Sequence, residues 1–362
     1  MFTECYHKRR VLITGHTGFK GSWLAFWLHS LGAEICGAAL PAEERPNHFS
    51  LLKMNFRSEA CDIRNADALQ KLLRDFQPEV VFHLAAQALV RRSYRNPLET
   101  IETNVLGTAN LLEACRHCEA VRAIVVISSD KCYENREWEW GYRENEAMGG
   151  YDPYSASKGC TELLVSSWRR SFFHPLEYGR THQTLLASAR SGNVIGGGDW
   201  AEDRLVPDLM KAAAAGQTVD LRNPQAVRPW QHVLEPLSGY LLLGQRLLAG
   251  DHKFAEAWNF GPAGQNSISV AETARALAVC WPDISFRMYP QTDTPHEAGL
   301  LHLDCSKAHS RMHWHPVWNA TETFQHTADW YRRFYRENQI YTADDLATYC
   351  QAASIQDLIW SK

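Results

Sequence analysis

The strongest constraint in this sequence is a glycine cluster where its first apolar run meets its first amphipathic run. Arg10–Thr14 (RVLIT) is a short apolar strand and 21–31 has helical spacing; between them stands Thr14-Gly15-His16-Thr17-Gly18-Phe19-Lys20-Gly21. Glycines spaced G-x-x-G-x-x-G permit a tight strand-to-helix bend and let backbone N–H groups approach a pyrophosphate. The helix N-terminus adds positive partial charge there. The spacing alone is a weak signal, but between a first strand and a helix it becomes a good one. His16 and Lys20 are unusual occupants because bulky side chains crowd a ligand. Lys20 offers charge to a phosphate, whereas His16 is expected to weaken cofactor retention.

The alternation continues down the first half. Strands are predicted over 34–39, 80–84, 123–128 and 184–189, with helices over 65–76, 97–117 and 154–173. Strands separated by helices of this length imply right-handed βαβ units and a parallel sheet covered on both faces. The expected fold is α/β: a doubly wound, Rossmann-type sheet with a smaller, interleaved C-terminal α/β substrate lobe. The division is 1–190 for the dinucleotide domain and 191–362 mainly for the lobe, with some segments returning to the sheet. Helices are predicted over 205–215, 233–248, 270–279 and 321–338, and 300–304 is strand-like.

Composition removes several classes of function. A formal net charge of -4 over 362 residues argues against a nucleic-acid protein, which carries a basic field. No apolar run approaches the roughly 18 residues needed to span a bilayer, and the polar segment 1–10 does not read as a signal peptide. The ten cysteines are scattered. Cys115 and Cys118 form a C-x-x-C without a second pair, so free thiols in a reducing cytoplasm are expected and a metal site is not. The thirteen tryptophans are expected to serve packing rather than base stacking.

Tyr154-Ser-Ala-Ser-Lys158 is a Y-x-x-x-K on a predicted helix, which puts both side chains on one face. The lysine ammonium there can lower the tyrosine pKa and bind a nicotinamide ribose, making Tyr154 a phenolate base. The strand over 123–128 delivers Ser128-Ser129-Asp130-Lys131 at its carboxyl end, where open α/β sheets bind ligands.

Together these residues resemble the extended short-chain dehydrogenase/reductase family. His83-Leu84-Ala85-Ala86-Gln87 and Asn104-Val-Leu-Gly-Thr108 match further family segments, and Cys61-Asp62-Ile63 resembles the segment that contacts adenine. The likeness covers roughly 11–304. Within the family, T-G-H-T-G-F-K-G-S-W-L with S-S-D-K-C-Y resembles the nucleotide-sugar 4,6-dehydratases that act on CDP-glucose. The resemblance implies bound NAD as cofactor and cytoplasmic synthesis of deoxysugars for surface polysaccharide. It also implies a reaction in which hydride is taken from C4 and returned to C6. Enzymes acting on dTDP-glucose carry Thr-Asp-Glu where this chain has Ser129-Asp130-Lys131. By position Lys131 would then take the C5 proton and must be neutral to do so; burial beside Lys158 works in that direction. Asp130 would protonate the departing 6-hydroxyl and Ser129 would hydrogen-bond O4.

Asn193 is implied to contact the substrate diphosphate, and Arg228 and Arg204 are further candidates, since a guanidinium suits phosphate geometry. His296 and Glu297 are expected to close on the sugar or nucleotide. At the ribose end no carboxylate directly follows the strand over 34–39, and Glu43 and Glu44 resemble solvated loop residues, which leaves NAD against NADP open on residues alone. Also open are a 4-epimerase, a dehydratase for another nucleotide-glucose, and a non-catalytic NAD-binding protein on the same frame. The resemblance implies a homodimer, with dimers possible as a pair of dimers, through helices beginning near Pro97 and Tyr154. Leu163, Leu164 and Trp168 are compatible with it.

Overall fold

Continuous apolar strands have no solvent face to offer, so they belong inside a parallel sheet. The computed structural model describes residues 1–42, 46–262, 268–289 and 299–362. Seven strands form its main sheet: β1 (Arg10–Thr14), β2 (Glu34–Ala39), β3 (Arg57–Ala60), β4 (Val80–His83), β5 (Ala123–Ile127), β6 (Leu185–Arg190) and β7 (Ala257–Asn259). They are all parallel, in the order β3-β2-β1-β4-β5-β6-β7. This is the doubly wound α/β fold that the strand and helix pattern predicts. The C-terminal half returns to the sheet through β7, which pairs with β6.

Alternate residues of each strand serve opposite faces. Val11 and Ile13 of β1, with Val125 and Ile127 of β5, join a core containing helix α1 (Phe19–Ser30) through Trp23, Leu24, Trp27 and Leu28. Leu12, Ile124 and Val126 join a second core, formed with α2 (Ala66–Phe76), α3 (Gly107–Arg116) and α4 (Pro153–Ser171). Local chemistry sets the helix starts. Asn65 accepts from the Ala68 N–H ahead of α2, and Asp152 accepts from Ser155 N–H with Pro153 in the first turn of α4. Seven tryptophans, Trp23, Trp27, Trp258, Trp281, Trp314, Trp330 and Trp360, are essentially fully buried, so these serve packing as expected. All ten cysteines are free. Among the described residues no helix is long and apolar enough to cross a membrane.

Some predicted elements differ. The segment over 97–117 is not one regular helix: Pro97–Ile101 passes through a π turn at Glu102–Leu106 before α3. Residues 300–304 stay outside the main sheet. They run beside the chain that follows β5, where Tyr142 N donates to His302 O (2.9 Å) and Asp304 N to Tyr142 O (2.9 Å).

The C-terminal helix α6 (Thr342–Ile355) docks onto α5 (Leu234–Leu248) through one buried carboxylate. Glu235 accepts Val317 N–H (2.9 Å), Trp318 N–H (2.7 Å) and Tyr349 O–H (2.7 Å). Burial, only partly offset by these donors, pushes its pKa up to about 7 from an ordinary 4.5. Folding raises this pKa, so the folded chain binds more protons than the unfolded one between those values. The stability so gained is complete below the ordinary value and is lost as pH rises through 7. Denaturant melts of the parent chain should weaken from pH 5 to pH 8 by on the order of 3 kcal/mol from this group. Glu235→Gln should remove that component, and an equal pH slope in the variant would show that the carboxylate is not its source.

Candidate active site

In an open α/β sheet ligands bind beyond the carboxyl ends of the strands, where the strand order reverses. Here that point lies between β1 and β4, and a cleft of about 1050 Å³ opens there. The loops after β1, β4, β5 and β6 line it, as do residues from the C-terminal half. Every site residue predicted from sequence and lying within the described residues lines this cleft, except His16 and Asn104. His296 and Glu297 lie outside the described residues, as do Glu43 and Glu44.

The cofactor end begins at Gly15, which has φ +76°; a Cβ there would come within 2.7 Å of Ala85 N. Only glycine fits so tight a crossing of the loops after β1 and β4. Gly18 precedes α1 with extended backbone and no side-chain cap, so the first helical N–H groups are left for a ligand. Thr14 steadies the floor: its Oγ1 accepts from Ala85 N–H (3.2 Å) and bonds His83 Nδ1 (2.7 Å), while His83 Nε2 reaches Thr108 Oγ1 (3.0 Å). Asp62 is clamped by Arg64 (2.6 Å), which holds its carboxyl below the ordinary range. Ile63 packs over Gly107 at the start of α3. This cradle of close backbone and open N–H groups fits a dinucleotide.

His16 does not crowd the cleft. Its ring is buried beneath Gly37 of β2, edge-on to Phe49 (4.8 Å) and Phe56 (5.9 Å), with Nε2 bonded to Ser58 Oγ (2.7 Å). Burial lowers its pKa to about 4, so the ring is neutral. Asn104 sits in the π turn and works from behind. Its Oδ1 accepts Gln87 N–H (2.8 Å), while Nδ2 donates to Gln87 O (3.0 Å) and Ser157 Oγ (2.8 Å), stapling the loop after β4 to α4. Lys20 is turned toward the reacting groups. Its Nζ donates to Ser191 Oγ (2.9 Å), which also bonds Tyr240 OH (2.6 Å). Burial, reinforced by Arg204 and Lys158 and opposed by Asp130, brings its pKa down to about 7.

The reacting end gathers Ser129, which caps a 3-10 turn after β5, and Asp130 and Lys131 within that turn, against Tyr154 and Lys158 of α4. Ser129 Oγ donates to Asp130 Oδ1 (2.8 Å) and accepts the Lys131 N–H (3.3 Å). Gly192 lies so close that a Cβ would meet Asp130 Oδ2 at 2.0 Å. The Lys158 ammonium stands 5.9 Å from the Tyr154 ring centre. The tyrosine does not follow the sequence expectation of a lowered pKa: burial pushes it up to about 12, against a lowering hydrogen bond with Ser129. Burial also brings Lys158 down to about 8, opposed by the Glu162 charge one turn away.

Toward the C-terminal half the cleft takes in Asn193 (φ +36°), Arg204 and Arg228. Arg204 pairs with Asp199 (2.8 Å), and Arg228 donates to Val227 O (2.9 Å) and Gly299 O (3.3 Å). Sequence reasoning missed Arg91 and Arg222, which line the same end and both pair with Asp203 (3.4 and 3.3 Å). It also missed Ser191 as the partner of Lys20. Neither had a local signal, because each pairing spans distant segments. Among the described residues no group of three or more His, Cys, Asp or Glu is placed to hold a metal.

Known proteins resemble this chain in sequence and fold. The family model described as GDP-mannose 4,6 dehydratase matches residues 12–327. A CDP-glucose 4,6-dehydratase of Salmonella typhimurium is 50% identical over 330 residues, 91% of this chain and 92% of that one. A dTDP-glucose 4,6-dehydratase of Haemophilus influenzae is 25% identical over 346 residues, 89% and 97% of the two chains. Among solved structures, a dTDP-glucose 4,6-dehydratase of Streptomyces venezuelae with NAD bound superposes with a TM-score of 0.76 at 23% identity, covering 90% and 97%. A UDP-glucose 4-epimerase of Thermotoga maritima with UDP-glucose gives 0.76 at 21%, covering 90% and 99%; at these identities the two share the fold. The chain belongs to the nucleotide-sugar 4,6-dehydratase family.

Proposed function

We propose that this chain is an NAD-dependent CDP-glucose 4,6-dehydratase, forming CDP-4-dehydro-6-deoxy-glucose by loss of water. The observation that carries the reading is the Ser129-Asp130-Lys131 turn facing Tyr154 and Lys158 in one cleft, in a chain half identical to a CDP-glucose 4,6-dehydratase over nearly its whole length. A simple epimerase has no use for the acid and base beside its tyrosine.

Gly15, Gly18, Asp62 and Ala85 form the cradle that would hold NAD+, which when bound would supply the hydride acceptor for C4 and the donor for C6. Lys158 holds the ribose and keeps positive charge beside Tyr154, which takes the proton of the 4-hydroxyl. Ser129 steadies the developing O4. The 4-ketone acidifies C5, Lys131 removes that proton, and Asp130 protonates O6 as it leaves as water. Asn193, Arg204 and Arg228 bind the diphosphate.

Four exposed apolar side chains, Leu98, Ile101, Leu106 and Leu163, support a homodimer built on Pro97–Arg116 and α4. Trp168 is not among them, because it is partly buried and packed against the core. Leu163→Glu should shift the sedimenting species from dimer to monomer, and an unchanged dimer would place the interface elsewhere.

Given CDP-, dTDP-, GDP- and UDP-glucose, the enzyme should turn over CDP-glucose to a product lighter by one water, without net NADH. An unchanged mass would make it an epimerase, and stoichiometric NADH release would remove the internal redox cycle. Tyr154→Phe should lower kcat by about 100-fold or more. Lys131→Ala should still oxidise C4 yet fail to eliminate, so reduced nucleotide accumulates on the enzyme at 340 nm. Normal product from Lys131→Ala would move the base to another residue.

A further inference from the structure

Two arginines of the cleft take no part in the chemistry proposed above. Arg91 belongs to the short helix Val90–Arg95 that follows β4, and Arg222 follows the strand Thr218–Leu221 of the C-terminal half. Each reaches the carboxylate of Asp203, just ahead of the helix Leu205–Ala214. Three segments far apart in the chain thus meet at one acid in the cleft wall.

The pairing is loose. Both guanidiniums approach a single oxygen, Oδ1, through one N–H each, at 3.4 and 3.3 Å. A guanidinium carries its donors in a planar fork and grips an anion best with two of them at about 2.8 Å. The neighbouring pair shows the contrast: Arg204 meets Asp199 at 2.8 Å, and the Asp199 side chain is 5% exposed against 27% for Asp203. Asp203 also has φ +59°, a left-handed backbone that disfavours residues with a side chain. Partly exposed ion pairs at such distances contribute little to stability, so the carboxylate is a weak competitor for its two arginines. A diphosphate carries more charge than one carboxylate and has free oxygens enough for both forks at once.

We propose that Arg91 and Arg222 are further ligands of the substrate's diphosphate, and that Asp203 is the anion they hold until it arrives. Binding exchanges one anion for another. Both arginines turn from Asp203 to phosphate oxygens, and the freed carboxylate turns to the solvent it already partly meets. No covalent bond changes and no proton moves. The substrate then joins Arg91 of the sheet half to Arg222 of the C-terminal half, in place of the protein's own acid. This role rests on the nucleotide-sugar reading and is independent of the steps at C4, C5 and C6.

Titration calorimetry of the NAD-loaded protein with CDP tests the exchange. Asp203→Asn should bind CDP about threefold to tenfold more tightly than the parent, because the competing charge is gone. A damaged fold cannot produce a gain, so equal or weaker binding would overturn the placeholder. Arg91→Ala and Arg222→Ala should each weaken CDP by about 10-fold or more. The same two variants should lose affinity for inorganic pyrophosphate, which has no base or ribose, by a similar factor. Pyrophosphate binding equal to the parent's would assign the arginines to the nucleoside and overturn the proposal, as would unchanged CDP affinity in both variants. A parent that binds CDP yet forms no product lighter by one water would remove the dehydratase reading and leave the exchange standing. A parent that binds no nucleoside diphosphate would remove both.

Discussion

A single buried ion pair holds the reacting residues in register. Glu162 of α4 and Arg190 at the end of β6 meet at 2.8 Å with both side chains almost wholly buried. Two charges taken out of water are tolerable only when paired and supported by further hydrogen bonds. Here Glu162 also accepts from Ser188 (2.8 Å) and from Ser128, while Arg190 donates to Tyr133 OH (2.5 Å) and to Glu144 O (3.1 Å). Burial favours the neutral acid, but Arg190 and the two serines outweigh it and keep the carboxyl ionised. The pair thus ties α4, which carries Tyr154 and Lys158, to β5 and β6, which deliver Ser129–Lys131 and Ser191–Asn193. Breaking one partner would leave the other charge stranded and loosen all three elements together.

Above that pair the pocket is crowded with cations. Lys20 comes from the glycine loop, Lys158 from α4 and Arg204 from the C-terminal half, and each acts on the same small volume around Asp130. Desolvation lowers both Lys20 and Lys158 toward neutrality, and repulsion from Arg204 and Lys158 adds to the shift of Lys20, while a bound diphosphate would restore their charge by Coulomb attraction. An anionic substrate thereby conditions the groups that act on its own sugar. Local charge does this in a chain whose overall balance is slightly negative.

Much of this was legible in the sequence, for reasons that can be traced to particular residues. The strands β1, β2, β4 and β5 announce themselves because burial on both faces demands unbroken apolar runs. Gly15 and the Tyr154/Lys158 pair are readable because a strand-to-helix turn and a one-turn helical spacing are local facts. β3 escapes notice because Arg57–Ala60 (RSEA) is a largely exposed edge strand, and β7 because three residues carry no periodicity. The tyrosine shift could not be foreseen, since spacing places Lys158 near the phenol but says nothing of how deeply the phenol is buried. The arginines that meet Asp203 likewise arrive from positions far apart in the chain.

His16 shows how far such tertiary facts can reach. Its ring lies against Gly37, where a Cβ would come within 2.4 Å of it. Positions 16 and 37 are therefore one steric unit shared between the loop and the second strand. A lineage that replaces the imidazole by a small residue acquires room for a side chain at 37, and a lineage that enlarges 37 must first give up the ring. The two positions are constrained to change in a fixed order, so the unusual histidine of the glycine loop is held in place by the strand beside it and not by a ligand.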